Sequence, residues 1–520
     1  MLTGSIPIEG LLSIKAADDP GNAVTLQLVS QMQNSEIKLP QPLGKAANEP
    51  MALDITLYFD PDFNRLEGSI GNQLITDLRF NQTKLTHGLV SFDRSVSVPE
   101  EGELLVAGYL PTTDLNLWNP VVDLFAGRSG GQEASWKPVF DLQFDQLDLA
   151  TFKVADIAAQ IRPSEDEINI AFTSDLADGK LALPYDDSLI PDVQLSRLSL
   201  PSALLEKKIG QKGMDPRTFF AVDFSVDSFS VGDKDWGALA FELRPEVSGA
   251  AFNTIVGDVF GLRPGLFEKQ PDTEFFWSYD GEKYSSRLIG PVGVDNIGDL
   301  FSGLNIPKVI DSQSGSMVFD LSWQDQPWKI TKENITGDFQ INLQDGSFYT
   351  STGGAGAALK LVSLFNFANW LKRLQLDFSD VTSQNLAYND LVGTLHFENG
   401  VASLLDPLRM KMPSGRMNMA GDFDLVNEQV DAQLVATLPV ATNLPWVVAL
   451  LGGVPAAAGV YLTSKLVEKQ VDRLSSISYA LSGPFDDVKV AVDRIFAAEL
   501  KATDQNKQPN KKETKEQQAE

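Results

Sequence analysis

The 520 residues carry 70 acidic and 42 basic side chains, a net charge of −28, and 43% of them are hydrophobic. A polyanion repels phosphate backbones and anionic lipid surfaces at long range, and no run of the sequence forms a basic patch, which argues against nucleic acid as a partner. With no cysteine and only His87 and His396, the chain lacks material for disulfides, zinc thiolate sites, thiol nucleophiles or a histidine metal cluster.

The first residues, Met1-Leu-Thr-Gly-Ser-Ile-Pro-Ile-Glu9, hold no positively charged region followed by an apolar run, so they form no signal peptide. If the protein works outside the cytoplasm, the chain is expected to be a fragment of a longer protein or to begin late in its coding region. Strands are then predicted almost throughout. Leu53, Ile55, Leu57 and Phe59 alternate with Asp54, Thr56, Tyr58 and Asp60, the pattern of a strand with one apolar and one wet face. Ser164-Glu165-Asp166-Glu167 lacks the ligand spacing and central glycine of a calcium loop and reads as a wet loop. Asp178-Gly179, Asp280-Gly281 and Asp345-Gly346 read as turns, and residues 296–304 as a short helix.

Alternation returns at Met317, Phe319, Leu321 and Trp323, and at Phe339, Ile341 and Leu343 against Asp338, Gln340 and Asn342. Residues 355–374 are predicted helical, with Leu361, Leu364, Phe365 and Leu371 on one face and Lys372 and Arg373 in the last turn. Leu395 and Phe397 lead into Asn399-Gly400, the strongest short hairpin signal, because both residues tolerate positive φ. Met417, Met419, Gly421, Phe423 and Leu425 run to a turn near Asn427-Glu428, and Val430, Ala432, Leu434, Ala436 and Leu438 return. Residues 455–475 are predicted helical along Leu466, Val467, Val471 and Leu474, and 501–520 read as a disordered tail. Strands in succession with close turns predict an antiparallel meander rather than βαβ units.

Residues 432–464 contain no charge. Pro445, Pro455 and Gly452-Gly453 argue against one straight membrane span, while Trp446 and Tyr461 stand near the ends of the most apolar part as interface aromatics do. The stretch fits an apolar helical hairpin over the end of the sheet or a hairpin that docks on a membrane. An enzyme finds little support. Gly354-Ala355-Gly356 with Asp377 about 20 residues on mimics a dinucleotide fingerprint. However, Leu359 replaces the third glycine, the preceding strand alternates, and no second βαβ unit follows. Asp377, Asp380 and Asp390 read as turn and strand-end acids, and His396 as a strand histidine among Thr394 and Glu398.

An ordered set of motifs runs from Gly346 to Val490: Gly353-Gly354-Ala355-Gly356-Ala357, Leu371-Lys372-Arg373-Leu374, Leu376-Asp377-Phe378-Ser379-Asp380 and Leu386-Ala387-Tyr388. Val392-Gly393, Asn399-Gly400, Pro413-Ser414-Gly415, Gly421-Asp422-Phe423-Asp424-Leu425 and Tyr479-Ala480-Leu481-Ser482-Gly483-Pro484 complete it. This set resembles the C-terminal region of YhdP-type AsmA-like proteins, with looser similarity upstream at Gly179-Lys180-Leu181 and Leu321-Ser322-Trp323. The family's inner-membrane helix and earlier β-repeats have no counterpart here.

The resemblance implies a mainly β fold: an extended, curved antiparallel sheet forming an apolar groove, with a few helices near the C-terminus. Residues 1–345 would be an extended groove segment, 346–500 the C-terminal region with helices at 355–374 and about 440–475, and 501–520 the tail. It implies a periplasmic, membrane-associated protein that moves phospholipid between inner and outer membranes without catalysis or cofactor. An N-terminal part bearing the inner-membrane anchor would be missing. Acyl chains would contact Leu53, Ile55 and Leu57, then Phe319, Leu321, Phe339, Ile341 and Leu343, and finally Leu395, Phe397, Met417, Met419, Phe423 and Leu434. Leu444, Trp446, Val447, Leu450, Leu451, Val460 and Tyr461 would touch the outer membrane, by apolar insertion that depends weakly on salt. Alternation alone fits a closed sandwich core equally well, and a structural envelope scaffold that binds proteins along its sheet edges is the alternative function.

Overall fold

The computed structural model describes residues 2–495 apart from 115–135, 203–213, 350–384, 438–475 and short breaks of one to eight residues. The predicted helices at 355–374 and about 440–475, and the tail, lie outside the described residues. The described chain is dominated by strands and falls into two compact units.

The first unit comprises Met1–Met214 and Phe219–Pro245. Its strands pair antiparallel in chain order from Glu9–Ile14 through Val24–Ser30, Leu53–Phe59, Asn64–Ile70 and Leu74–Asn81 to Lys84–Phe92. Two parallel steps follow, onto Glu103–Leu110 and then Lys137–Leu149. Antiparallel pairing resumes through Phe152–Pro163, Glu167–Thr173, Ala177–Pro184 and Asp192–Leu200. A further parallel pairing reaches Val222–Val231, which pairs antiparallel with Lys234–Glu246. The parallel pairs are the departure from a pure meander.

The second unit comprises Asp215–Thr218 and Glu246–Glu520. Gly249–Asp258, Glu274–Tyr279, Tyr284–Val294, Ser314–Trp323 and Ile335–Tyr349 pair antiparallel in that order. Asn385–Glu398, Val401–Met412, Gly415–Asp424, Gln429–Thr437, Ser476–Pro484 and Lys489–Ile495 continue the ladder. The Asn399-Gly400 hairpin is present: φ is 51° and 79°, and Glu398 pairs with Val401 across a two-residue loop. The short helix is also present as Ile297–Gly303, where the Asn296 side-chain oxygen caps the amide of Gly298 at 2.8 Å.

Two predicted turns are not turns. Asp178-Gly179 lies inside the Ala177–Pro184 strand at a register shift. Arg197 on the next strand clamps the Asp178 carboxylate at 2.7 and 3.0 Å, spending on a cross-strand ion pair the side chain that would close an Asx turn. Asp345-Gly346 lies inside Ile335–Tyr349. Asp345 does take a left-handed φ of 48°, but the strand continues because bare Gly346 lets the Asp311 carbonyl approach to where a Cβ would stand, 2.0 Å away.

The largest core is in the second unit, where Leu343, Phe348, Leu391, Met417, Leu434 and Leu481 are fully buried. The first unit holds a smaller cluster around Leu74, Phe92, Leu110 and Phe144.

Candidate functional site

Register turns the alternation within each strand into rows that cross the strands, because paired residues share a face. In the first unit one row runs Leu28, Ile55, Gly68, Thr76, Val90, Val106 and Phe140. It continues through Ile161, Ile170, Leu181, Val193, Phe224 and Phe241. A second row two residues away carries Leu53, Ile70, Leu74, Phe92, Gly108 and Leu142, then Ala159, Phe172, Gly179, Leu195, Val226 and Leu239. At Gly108, φ is 125° and a Cβ would meet the Phe92 carbonyl at 2.0 Å, so only glycine lets those strands approach so closely.

Most of this strip is half-buried rather than closed over. Leu53, Ile55 and Leu57 keep part of their surface, and exposure rises to 58% at Leu12 and 73% at Ile14. On part of the opposite face Asp141, Gln160, Lys180, Gln194 and Ser225 line a shallow trough of about 710 Å3, whereas Leu89, Leu105 and Val139 form a short apolar row there. Ion pairs such as Arg65–Asp77 at 2.7 Å also hold the wet side.

In the second unit, one row runs Leu321, Gly337, Phe397, Ala402, Phe423 and Val430, and the next begins Phe319, Phe339, Leu395 and Leu404. Further along the same strands lie Met317, Ile341, Gly393, and Leu408, Met419, Leu434 and Tyr479. Last come Gly315, Leu343, Leu391, Met410, Met417, Ala436 and Ile477. Eleven sequence-predicted groove positions therefore share one face: Phe319, Leu321, Phe339, Ile341, Leu343 and Leu395, with Phe397, Met417, Met419, Phe423 and Leu434. Their accessibility differs. Phe319, Phe339 and Phe397 are half-buried at one end of the strands, whereas Leu343, Met417 and Leu434 are fully covered within the chain's own packing. Leu53, Ile55 and Leu57 belong to the first unit's strip. Leu444, Trp446, Val447, Leu450, Leu451, Val460 and Tyr461 lie outside the described residues.

Polar groups mark the closed end. Tyr388 is 2% exposed and donates its hydroxyl to the Asp311 carbonyl; burial drives its pKa far above the ordinary tyrosine value. The Asp311 carboxylate takes Lys308 Nζ at 3.0 Å, the Ser347 amide at 2.8 Å and the Tyr349 hydroxyl. Burial raises its pKa, but these donors outweigh it and leave the carboxyl below its usual range. Tyr479, equally buried among the apolar rows, has no hydrogen-bond partner for its hydroxyl among the described residues, and burial pushes its pKa up to about 12.

On the other face, register brings together cations that are separate in the sequence. Lys411 pairs with Arg416 on the next strand, and Arg409 stands on the same face two residues from Lys411. The three cations line a trough of about 600 Å3 with Asp390, Asn418, Thr437 and Ser476. The signal was in the sequence, as cations at alternate positions on either side of Pro413-Ser414-Gly415, but only the register adds them together. His396 Nδ1 donates to the Asp338 carboxylate at 2.7 Å, a strand histidine with a cross-strand partner. Among the described residues no helix is long and apolar enough to cross a membrane.

Comparison with known proteins matches residues 1–490 to the family described as YhdP protein. The chain belongs to the YhdP family. It is 21% identical over 508 residues to the intermembrane phospholipid transporter YhdP of Escherichia coli (strain K12), a match covering 94% of this chain. The chain spans 39% of the length of that YhdP relative. No solved structure matches the chain. The YhdP-family assignment agrees with the strand-dominated fold and covers both compact units.

Proposed function

We propose that this chain carries phospholipid between the two membranes of a Gram-negative envelope, with the acyl chains lying across the strands on the apolar rows. The observation that carries this reading is the half-exposed strip of the first unit, where Ile55, Val90, Phe140, Ile170, Leu181 and Phe224 align strand after strand. A soluble protein rarely leaves so long an apolar strip partly open without a partner for it. Each buried methylene of an acyl chain contributes about 0.8 kcal/mol, so a weakly polar, sequence-tolerant surface is sufficient to hold one.

The family supplies the cargo class by way of the relative named as a phospholipid transporter. The site acts by burial alone, with no catalytic step and no cofactor, in the periplasm. In the second unit the accessible entry to the apolar face is the end bearing Phe319, Phe339 and Phe397. The rows at Leu343 and Met417 serve as a dry core. Residues 444–462 contact the outer membrane by apolar insertion, for an uncharged stretch of that length has a large apolar area to hide. The longer protein's remaining part supplies the inner-membrane anchor.

Photo-crosslinking tests the reading. A crosslinker at Ile55, Val193 or Phe397 captures phospholipid, while one at Asp54 or Lys180 on the wet face does not. Mass spectrometry of the purified chain then finds bound phospholipid. Failure of apolar-face positions to capture lipid, with no lipid co-purifying, favours the scaffold function for which the self-packed face of the second unit is a sufficient core.

A further inference from the structure

We infer that the loop 324–334 is a strap closing one end of the second unit's apolar face, with the Trp328 indole in the place an acyl chain takes when the strap opens. The inference rests on the lipid reading proposed above and deepens it by naming a contact of the chain with itself that competes with lipid.

Register identifies the face that the strap covers. Phe275, Leu288, Leu321, Gly337 and Phe397 form one row of the apolar face. Trp277, Ser286, Trp323 and Ile335 form the next row towards the strand ends, on the same face. The loop leaves the sheet at Trp323 and re-enters it at Ile335, so it starts and ends on this last row. At its middle, Trp328 sets its ring edge-on against Trp277, with centroids 5.4 Å apart. Trp277 is only 4% exposed, whereas Trp328 keeps 38% of its surface open.

The strap is tied at two distant points. Besides the contact with Trp277, Lys332 Nζ donates to the Leu425 carbonyl at 2.9 Å. From the strand of Trp277 to the strand that ends at Leu425 the ladder takes six steps. At about 4.8 Å per step that is about 29 Å along the sheet. The backbone from Trp328 to Lys332 spans at most about 14 Å. A loop tied at both points therefore lies across the strand ends, with its two side chains reaching outwards, and does not project into solvent.

The closed position carries its own penalty. Gln326 is 5% exposed, and its Oε1 has no hydrogen-bond donor among the described residues. A buried acceptor without a donor disfavours the state that buries it, and opening returns it to water. Against this stand the Lys332 and Trp328 ties, the Ser286 hydroxyl on the Asp325 carbonyl at 2.9 Å, and Trp323 Nε1 on the Gln326 carbonyl at 3.0 Å. The bonds from the Lys329 amide to the Gln326 carbonyl and from the Ile335 amide to the Thr331 carbonyl are local to the loop. Opening bares Trp277 beside half-buried Phe319, Phe339 and Phe397. An acyl chain laid on those rings covers the surface that Trp328 covers, so lipid and closed strap exclude each other. Lipid then favours the open state by what it gains there alone.

The test uses the full chain with a photo-crosslinker at Phe397 or, separately, at Ile55 in the first unit. Phospholipid captured from phosphatidylglycerol–phosphatidylethanolamine vesicles is measured at each position. Trp328→Ser/Lys332→Gln removes one charged hydrogen bond and one aromatic pair, which raises the open fraction at least about fivefold. Capture at Phe397 rises by that factor while the open state is scarce, and capture at Ile55 is unchanged. Lys332→Gln alone gives a smaller rise of the same sign, and circular dichroism checks that the sheet is retained. The chain has no cysteine, so Lys332→Cys/Val426→Cys joined by a short bismaleimide locks the strap beside its Leu425 tie. Capture at Phe397 then falls relative to the same chain left unjoined. Loosening that leaves Phe397 capture unchanged or lowers it, while Ile55 still captures lipid, overturns the inference and leaves the lipid reading standing. Equal capture by joined and unjoined chains does the same. No capture at either position in any chain overturns both.

Discussion

Tyr388 and Tyr479 are equally buried on adjoining parts of one apolar face, but their hydroxyls have opposite fates, so the same substitution should have opposite effects. The Tyr388 hydroxyl donates to the Asp311 carbonyl. Tyr388→Phe removes that bond and leaves a carbonyl short of a donor, which costs about 1–2 kcal/mol. The Tyr479 hydroxyl has been taken out of water without a partner among the described residues. Removing it recovers a desolvation penalty of about 1–3 kcal/mol, so Tyr479→Phe should stabilise the protein. Alkaline pH gives a second readout for Tyr479. Tyr479 has its pKa raised from 10.0 to about 12, so the folded state holds it neutral where the unfolded state ionises it. The sign is fixed: Tyr479 adds no ionisation penalty below pH 10, and stability is lost as pH rises from there towards 12. At pH 11 Tyr479 by itself has taken about 1.4 kcal/mol from the parent relative to pH 8, at 1.36 kcal/mol per unit of pKa difference. Tyr479→Phe does not pay this loss. Urea unfolding at pH 8 and pH 11, followed by near-ultraviolet circular dichroism, measures both effects. A Tyr479→Phe variant less stable than the parent at pH 8, or with an unchanged alkaline limb, refutes the reasoning.

Asp311→Asn should flatten the acid limb of stability. The carboxyl's folded pKa is lowered, so its contribution is present above the ordinary Asp value near pH 4 and lost as pH falls below it, and acid titration of unfolding reads the difference. Leu343→Ala, at a fully buried position, should cost about 2–5 kcal/mol, whereas Leu57→Ser on the half-exposed strip should cost less than half as much while reducing lipid captured per chain. Denaturant midpoints and lipid mass spectrometry separate the two. Gly337→Ala should destabilise by about 1–3 kcal/mol, since φ is 123° there and a Cβ would stand 2.0 Å from the Asp320 carbonyl; a neutral result in thermal unfolding would show that the strand relaxes.

The apolar face was legible because side-chain direction in a strand depends on parity alone. Phe339, Ile341 and Leu343 had to share a face once the segment was a strand, and the Asn399-Gly400 hairpin carried that phase to Met417 and Phe423. What depends on register was not legible. Arg409, Lys411 and Arg416 look like scattered cations until the ladder places them in adjacent rows. The parallel pairing of Lys84–Phe92 with Glu103–Leu110 has no local turn signature. Asp178-Gly179 misled because a turn dipeptide and a strand irregularity share the same residues, and the deciding partner, Arg197, lies on another strand. Alternation was also silent on depth: Phe397 and Met417 read alike in sequence, yet one is half-open and the other closed.

The apolar rows run across the strands, so each strand contributes only one or two side chains to any one row, and each added strand lengthens the row by about 4.8 Å. Length is therefore set by the number of hairpins and not by the content of any one of them. Inserting or deleting a whole hairpin, such as Val401–Met412 with Gly415–Asp424, changes the span by about 10 Å and returns the chain in the same direction with its faces in phase. Such a surface is an adjustable ruler: its length can change one hairpin at a time while the sequence drifts and the faces stay in phase.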